Sequence, residues 1–336
     1  AEHHADRLLE NGVVYFNSDS NTRGWLNAAG SHSLERFIAE VARDVPDPQR
    51  GTSVLLAAAE RRRAAEESES ESESEAESES VAEAEADSVS VSGALGAFEL
   101  GALGSGSDYT AFLDHLGLAS VHMSYGGDAP AGIYHSKYDS FDHYRRFQDT
   151  TFQFGVAEAQ TLATAVLRMA DAPVLPFEFL RVVQTYRDYV DEIEEGAAED
   201  SALAALDLSE VRAALDALDR AATRYELAFD EVRTMPADWA TRNRAALEEV
   251  NRLLFTTERA LTDEAGLPGR EWFHHLLYAP GFYTGYGVKT MPGIREAVED
   301  VPDLGVARRQ TERVVAALTE YAARVEAAAM GLEELL

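Results

Sequence analysis

The feature that most constrains this chain is a change of hydrophobic rhythm at Val174-Leu175-Pro176. Beyond it, Leu208, Val211, Leu215, Leu218, Ala222, Tyr225 and Phe229 step by three and four. Leu247, Val250, Leu254 and Leu261 repeat the step, as do Val314, Leu318, Tyr321 and Val325. Stripes of that period mark amphipathic helices that hide one face against another, so this part is expected to be all-α. Before the break, short apolar runs alternate with helical patterns, which points to an α/β layer. The expected fold is therefore α/β over residues 1–172, followed by a helical unit over 173–336.

Within the first part, Val13 to Phe16 follow the turn signal Asn11-Gly12 and read as a buried strand. Asn17 to Gly30 is polar and reads as a loop. Ser33 is placed to cap a helix with apolar positions at Leu34, Phe37, Ile38 and Val41, ending before Pro46. A near-perfect Ser-Glu alternation fills Glu66 to Ser80. Neither face of it is apolar and its like charges repel, so about 60–92 reads as a solvated, disordered insertion. A short helix is expected from Ser107 or Asp108 to Gly117, a strand over Leu118 to Met123, and a helix over Thr151 to Met169. YAPGFYTGYGVKTMPGI reads as a long loop inside the helical unit, and such loops are usually functional or disordered.

Composition narrows the function. The 336 residues hold 29 basic and 60 acidic side chains, a net charge of −31, which repels nucleic-acid phosphates and anionic lipid. Lys137 and Lys289 are the only lysines. A carboxylate-rich, lysine-poor surface suits a cytoplasm of high salt, although a GC-rich genome also favours Arg, Ala and Glu. No stretch is apolar enough to span a bilayer, and the N-terminus carries no export pattern. The expected location is cytoplasmic. With no cysteine, a metal could be held only by Asp, Glu and His.

Two side chains stand out on that ground. Asp19 follows the apolar run GVVYF, at the carboxyl end of an expected strand, where open α/β sheets place their ligand crevice. His135 lies in GIYHSKYD, flanked by Tyr134 and Tyr138. Taken alone, Asp19 could cap a turn and His135 could be a surface histidine. His274 and His275 are adjacent, so their side chains diverge on a helix; they are expected to be structural, one of them buried at the boundary of the two parts.

GVVYFNSDS, LGSGSDYTAFLDHLGLAS, GIYHSKYDSFDHY, VLPFEF and GLPGREWFHHLLYAPGFYTGYGVKTMPGI occur in an order that resembles the C-terminal half of the di-zinc peptidases related to glutamate carboxypeptidase II. The non-catalytic transferrin receptor shares that architecture. The resemblance implies that residues 1–172 complete a zinc-peptidase sheet and that 173–336 form a dimerisation domain. It implies that Asp19 and His135 are ligands in a two-zinc site, that Tyr134 donates to the reacting carbonyl, and that Gly106, Ser107 and Tyr286 line the substrate cleft. A peptide substrate and a homodimer follow from it. Carboxylate and imidazole are normal zinc donors, and a metal pair suits amide hydrolysis.

Departures temper the specificity. His122 and Ser124 stand where the glutamate-selective members carry arginines, Gly285 where a lysine precedes the loop tyrosine, and Ser107 where an asparagine follows GSG. A broader exopeptidase is expected, of aminopeptidase or carboxypeptidase type. The family's remaining ligands and its general-base glutamate would precede Ala1, so the chain is expected to be a fragment, inactive alone and weak in zinc binding. The alternative is a non-enzymatic dimerisation or binding module.

Overall fold

A computed structural model describes residues 1–74, 90–130 and 132–336. Helix α1 (Ala5–Asn11) turns at Gly12 into strand β1 (Tyr15–Asn17), slightly later than the apolar run suggests. Strand β2 (Gly24–Gly30) follows, inside the stretch expected to be loop. Its Gly, Asn and Ala residues carry little strand preference of their own. Pairing supplies it: β2 runs antiparallel to β3 (Ser120–Gly127) from Gly24↔Gly127 to Gly30↔Val121. On the other side of β3, β1 pairs in parallel, Asn17 facing His122, so the strand order is β1-β3-β2.

Helices cover the sheet. Helix α2 (Glu35–Asp44) ends just before Pro46 and buries Phe37, Ile38 and Val41. Ser33 does not cap it through its side chain; a 3-10 turn, His32–Leu34, leads in instead. Helix α3 (Val54–Ser74) extends into the expected acidic insertion, where Ala, Arg and Glu are good helix formers. The rest of that tract, residues 75–89, lies outside the described residues, and α4 (Val91–Ala97) follows it. A π-helical turn at Ala111–His115, ending at Gly117, occupies the place of the expected short helix. The turn α5 (Phe141–His143) and the long helix α6 (Gln153–Asp171) complete this part.

The remainder is mainly helical: α7 (Leu180–Ala198), α8 (Ser209–Val232), α9 (Ala237–Arg242), α10 (Arg244–Phe255), α11 (Pro292–Glu299) and α12 (Leu304–Glu333). The stripes on α8, α10 and α12 bury Leu215, Leu218, Val250, Leu254, Leu318 and Val325. The expected long loop is more ordered than its glycines suggest. It contains a hairpin, β4 (Tyr278–Pro280) antiparallel to β5 (Val288–Thr290), and runs directly into α11.

One apolar core runs through both parts, from Leu34 and Val121 to Tyr186 and Leu318. Polar contacts reinforce the junction. Arg181 of α7 reaches Glu35 of α2 at 2.7 Å, and His32 meets the Tyr189 hydroxyl at 2.9 Å. His275 is fully buried at this boundary. Its Nδ1 accepts from the backbone of Leu277 and Tyr278, so its Nε2 proton is left for Glu258, 3.2 Å away. His274 instead contacts the His115 carbonyl at 2.9 Å.

Candidate functional site

The parallel pairing of β1 with β3 builds the centre of the candidate site. Side chains alternate along a strand, so Asn17 and Asp19, two positions apart, leave the end of β1 on the same side. Cross-strand register brings His122 beside Asn17, whose Nδ2 lies 2.8 Å from His122 Nδ1. The same Nδ2 donates to Ser107 Oγ at 3.0 Å, and the Ser107 hydroxyl donates to Asp19 Oδ2. The second oxygen, Oδ1, has looser neighbours: His122 Nε2 at 3.6 Å and Ser20 Oγ at 3.4 Å. Burial lowers the His122 pKa, with the Asp19 charge opposing. Tyr109 packs its ring 6.0 Å from His122, and burial, aided by Asp114 and Asp19, pushes its phenol up to about 12.

A second polar layer lies under Asp19. Ser18 donates to Glu158 on α6, whose carboxyl is raised by burial despite hydrogen bonds from Ser18 and Asn21. Tyr144 donates to Asn21 at 2.6 Å and lies 3.3 Å from Asp149, which also receives the Gly155 amide at 2.9 Å.

The wall of the cleft is made where the two parts meet. Gly104 and Gly106 lie against the tip of the β4–β5 hairpin. A Cβ on Gly104 would fall 2.3 Å from the Tyr286 carbonyl, and one on Gly106 would fall 2.9 Å from the Tyr286 ring. Gly106 also has φ +108°, a conformation that disfavours any side chain. These glycines let the hairpin close, and Ser105 N then donates to Tyr286 O at 3.0 Å. Behind the tip, Arg270 grips Glu296 at 2.7 and 2.9 Å, and Glu296 receives the Phe282 amide at 2.8 Å. Thr284 closes the Gly281–Gly287 loop on itself. Tyr286 is thus held by its backbone while its side chain remains exposed.

The structure therefore brings together four of the residues singled out in the sequence, as two pairs: Asp19 with Ser107, and Gly106 with Tyr286. His135 is placed differently. It sits in the exposed segment after Gly132 with φ +59°, its ring stacked 3.8 Å from that of Tyr134. Among the described residues no ion pair or hydrogen bond joins His135 to Asp19, and no group of three or more His, Asp or Glu is disposed to hold a metal ion. What the described residues offer a cation is a carboxylate with one oxygen only loosely engaged and, separately, the exposed imidazole of His135. Asn17 and Glu158 are site residues that the sequence did not point to, and His122 entered only as a departure. The signal for Asn17 was strand alternation before Asp19; His122 needs the register of β3, which no local pattern supplies.

Residues 206–326 match the transferrin receptor-like dimerisation domain. Over 304 residues, 90% of its length, the chain is 29% identical to a probable glutamate carboxypeptidase of Arabidopsis thaliana, covering 38% of that protein. A probable glutamate carboxypeptidase of Arthroderma benhamiae is 32% identical over 204 residues, 60% of this chain and 27% of that protein. An aminopeptidase of Mus musculus is 27% identical over 239 residues, 67% of this chain and 31% of the relative. The chain thus spans well under half the length of the curated relatives it matches.

Proposed function

We infer that this chain, a member of the transferrin-receptor-like zinc peptidase family, forms part of a zinc-dependent exopeptidase that hydrolyses peptide bonds near a chain terminus. The observation that carries this reading is the state of Asp19. Ser107 donates to Oδ2, while Oδ1 has only the longer contacts of Ser20 Oγ at 3.4 Å and His122 Nε2 at 3.6 Å. A carboxylate acting as a turn cap accepts a backbone amide, as Asp303 Oδ1 does from Val306 N, whereas the contacts described for Asp19 are all to side chains.

In this reading Asp19 and His135 are donors to a pair of zinc ions whose other donors, with the general base, lie outside these 336 residues. Zinc in such a site polarises the scissile carbonyl and lowers the pKa of a bound water. The chain's own residues do the rest. Asp19 would hold the metal through its carboxylate, Tyr134 would offer its exposed phenol to the carbonyl oxygen, and Gly106, Ser107 and Tyr286 would form the wall along which the peptide lies. His122 and Ser124 give no fixed cation for a terminal glutamate, which favours a broader substrate range. The chain is read as two units, 1–172 and 173–336, the second pairing with its copy in a homodimer. Among the described residues no helix is long and apolar enough to cross a membrane. Cytoplasmic placement rests on charge alone.

The test is hydrolysis of short unblocked, amino-blocked and carboxyl-blocked peptides by the whole protein, before and after chelation. Zinc-restored cleavage, blocked by one terminal cap and lost about 100-fold or more in Asp19→Ala, supports the reading. Cleavage indifferent to chelator or to Asp19→Ala removes it and leaves the dimerisation module, for which light scattering of this chain gives the direct measurement.

A further inference from the structure

The hydrogen bonds around Asp19 form a chain with one consistent direction. A carboxylate only accepts, so the proton between Ser107 and Asp19 belongs to Ser107. Ser107 Oγ must then accept from Asn17, which sets the Asn17 amide with its NH2 group on this side. That NH2 also faces His122 Nδ1 at 2.8 Å, so Nδ1 is the acceptor nitrogen. The ring proton of neutral His122 is left on Nε2, the atom 3.6 Å from Asp19 Oδ1. At that distance the N–H dipole attracts the carboxylate without capturing it.

We propose that His122 is a positioning residue: locked by Asn17 as the Nε2–H tautomer, it holds the Asp19 carboxylate in one rotamer with Oδ1 directed into the cleft. It does from the sheet side what Ser107 does from the loop side. Because β3 fixes its backbone opposite Asn17, His122 is turned inward and serves the carboxylate, and it is not spent on the substrate. The inference deepens the reading of Asp19 as a metal ligand and rests on it for its consequence.

Imidazole nitrogens are read by two-bond proton–nitrogen correlation on histidine-labelled protein, and the Asp19 rotamer by three-bond couplings about Cα–Cβ. We expect an unprotonated Nδ1 and protonated Nε2 at His122, and conversion to the Nδ1–H form in Asn17→Asp, which places an acceptor opposite Nδ1. Asp19 couplings should report one rotamer in the parent, averaging in His122→Phe, and recovery in His122→Gln, whose amide can also donate. Cobalt(II) affinity should fall about tenfold or more in His122→Phe. An Nδ1–H tautomer in the parent, unaveraged couplings in His122→Phe, or unchanged cobalt affinity in that variant overturns the proposal. If Asp19→Asn leaves cobalt binding unaltered, the zinc reading falls, and the tautomer and couplings then decide the positioning role by themselves.

Discussion

Tyrosine has opposite fates in two regions of this molecule. In the helical part Tyr186, Tyr225, Tyr278 and Tyr321 are fully buried, and burial raises each phenol well above its ordinary pKa. Tyr186 and Tyr278 join hydroxyls at 3.0 Å, and Tyr225 meets Phe179 edge-on at 5.2 Å. Elsewhere, Tyr134 and Tyr138 of the His135 segment and Tyr283 and Tyr286 of the hairpin loop are 60–73% exposed, and Phe141, Phe147 and Phe282 are exposed as well. The buried set is bound by packing that leaves no room for a ligand. The exposed set lies in turns, Tyr286 O accepting from Ser105 N and Tyr138 N donating to Ser136 Oγ, and offers its rings outward. One region is closed by packing, with the buried Tyr225 hydroxyl left unpartnered, and the other presents its rings to solvent.

The largest effect should separate the two regions directly. Tyr186→Ala removes a fully buried ring and its hydroxyl partner, and should lower stability by about 3–5 kcal/mol, read from denaturant midpoints. His275→Leu comes next. It strands Glu258 and two backbone amides in a site without water access, a loss of about 2–3 kcal/mol. If either variant melts like the parent, the helical part is not the finished core described here.

The junction between the regions should respond to pH. Glu178 sits among Glu226, Arg181, Glu35 and Arg36, and burial is the first cause of its rise to about 7, with Glu226 next. Its folded value lies above its unfolded value of 4.5, so the folded state holds this proton more tightly. The corresponding stability is fully present below 4.5 and is lost as pH rises through about 7. The Glu178 contribution should therefore fall across that interval by roughly 1–3 kcal/mol, opposed by buried His32, whose pKa burial lowers to about 4, and Glu178→Gln should remove the Glu178 share of the slope. Asp114 adds a slope of the same sign: burial raises its carboxyl well above its ordinary value, and Arg270 opposes.

How much of this was legible follows from the range of the forces involved. Helices α8, α10 and α12 could be read because three-and-four spacing is a local record of burial. Strand β2 could not: GWLNAAG has no strand preference, and its partner β3 lies about ninety residues later, beyond any local pattern. The hairpin β4–β5 was hidden for a similar reason, since Gly281, Gly285 and Gly287 look like loop until the GSGS turn is seen to pack against Tyr286 and Gly287. Asp19 was visible because a strand end announces itself. The partners that shape it, Asn17, His122 and Glu158, converge only through strand pairing and the docking of α6. One of His274 and His275 was expected to be buried; that it is His275, bonded to Glu258, required the fold.

The smallest expected change in stability carries the most about function. Tyr286→Ala removes an exposed ring whose backbone carbonyl, through Ser105, already anchors the hairpin tip. Its melting curve should match the parent to within about 0.5 kcal/mol. In the whole protein the same substitution should raise KM severalfold while leaving kcat nearly unchanged, because a cleft wall contributes binding in ground and transition states alike. A large loss of stability would mean that the exposed tyrosines brace the fold as the buried ones do, and the contrast between the regions would dissolve. An unchanged KM would leave the contrast intact and move the peptide off this wall.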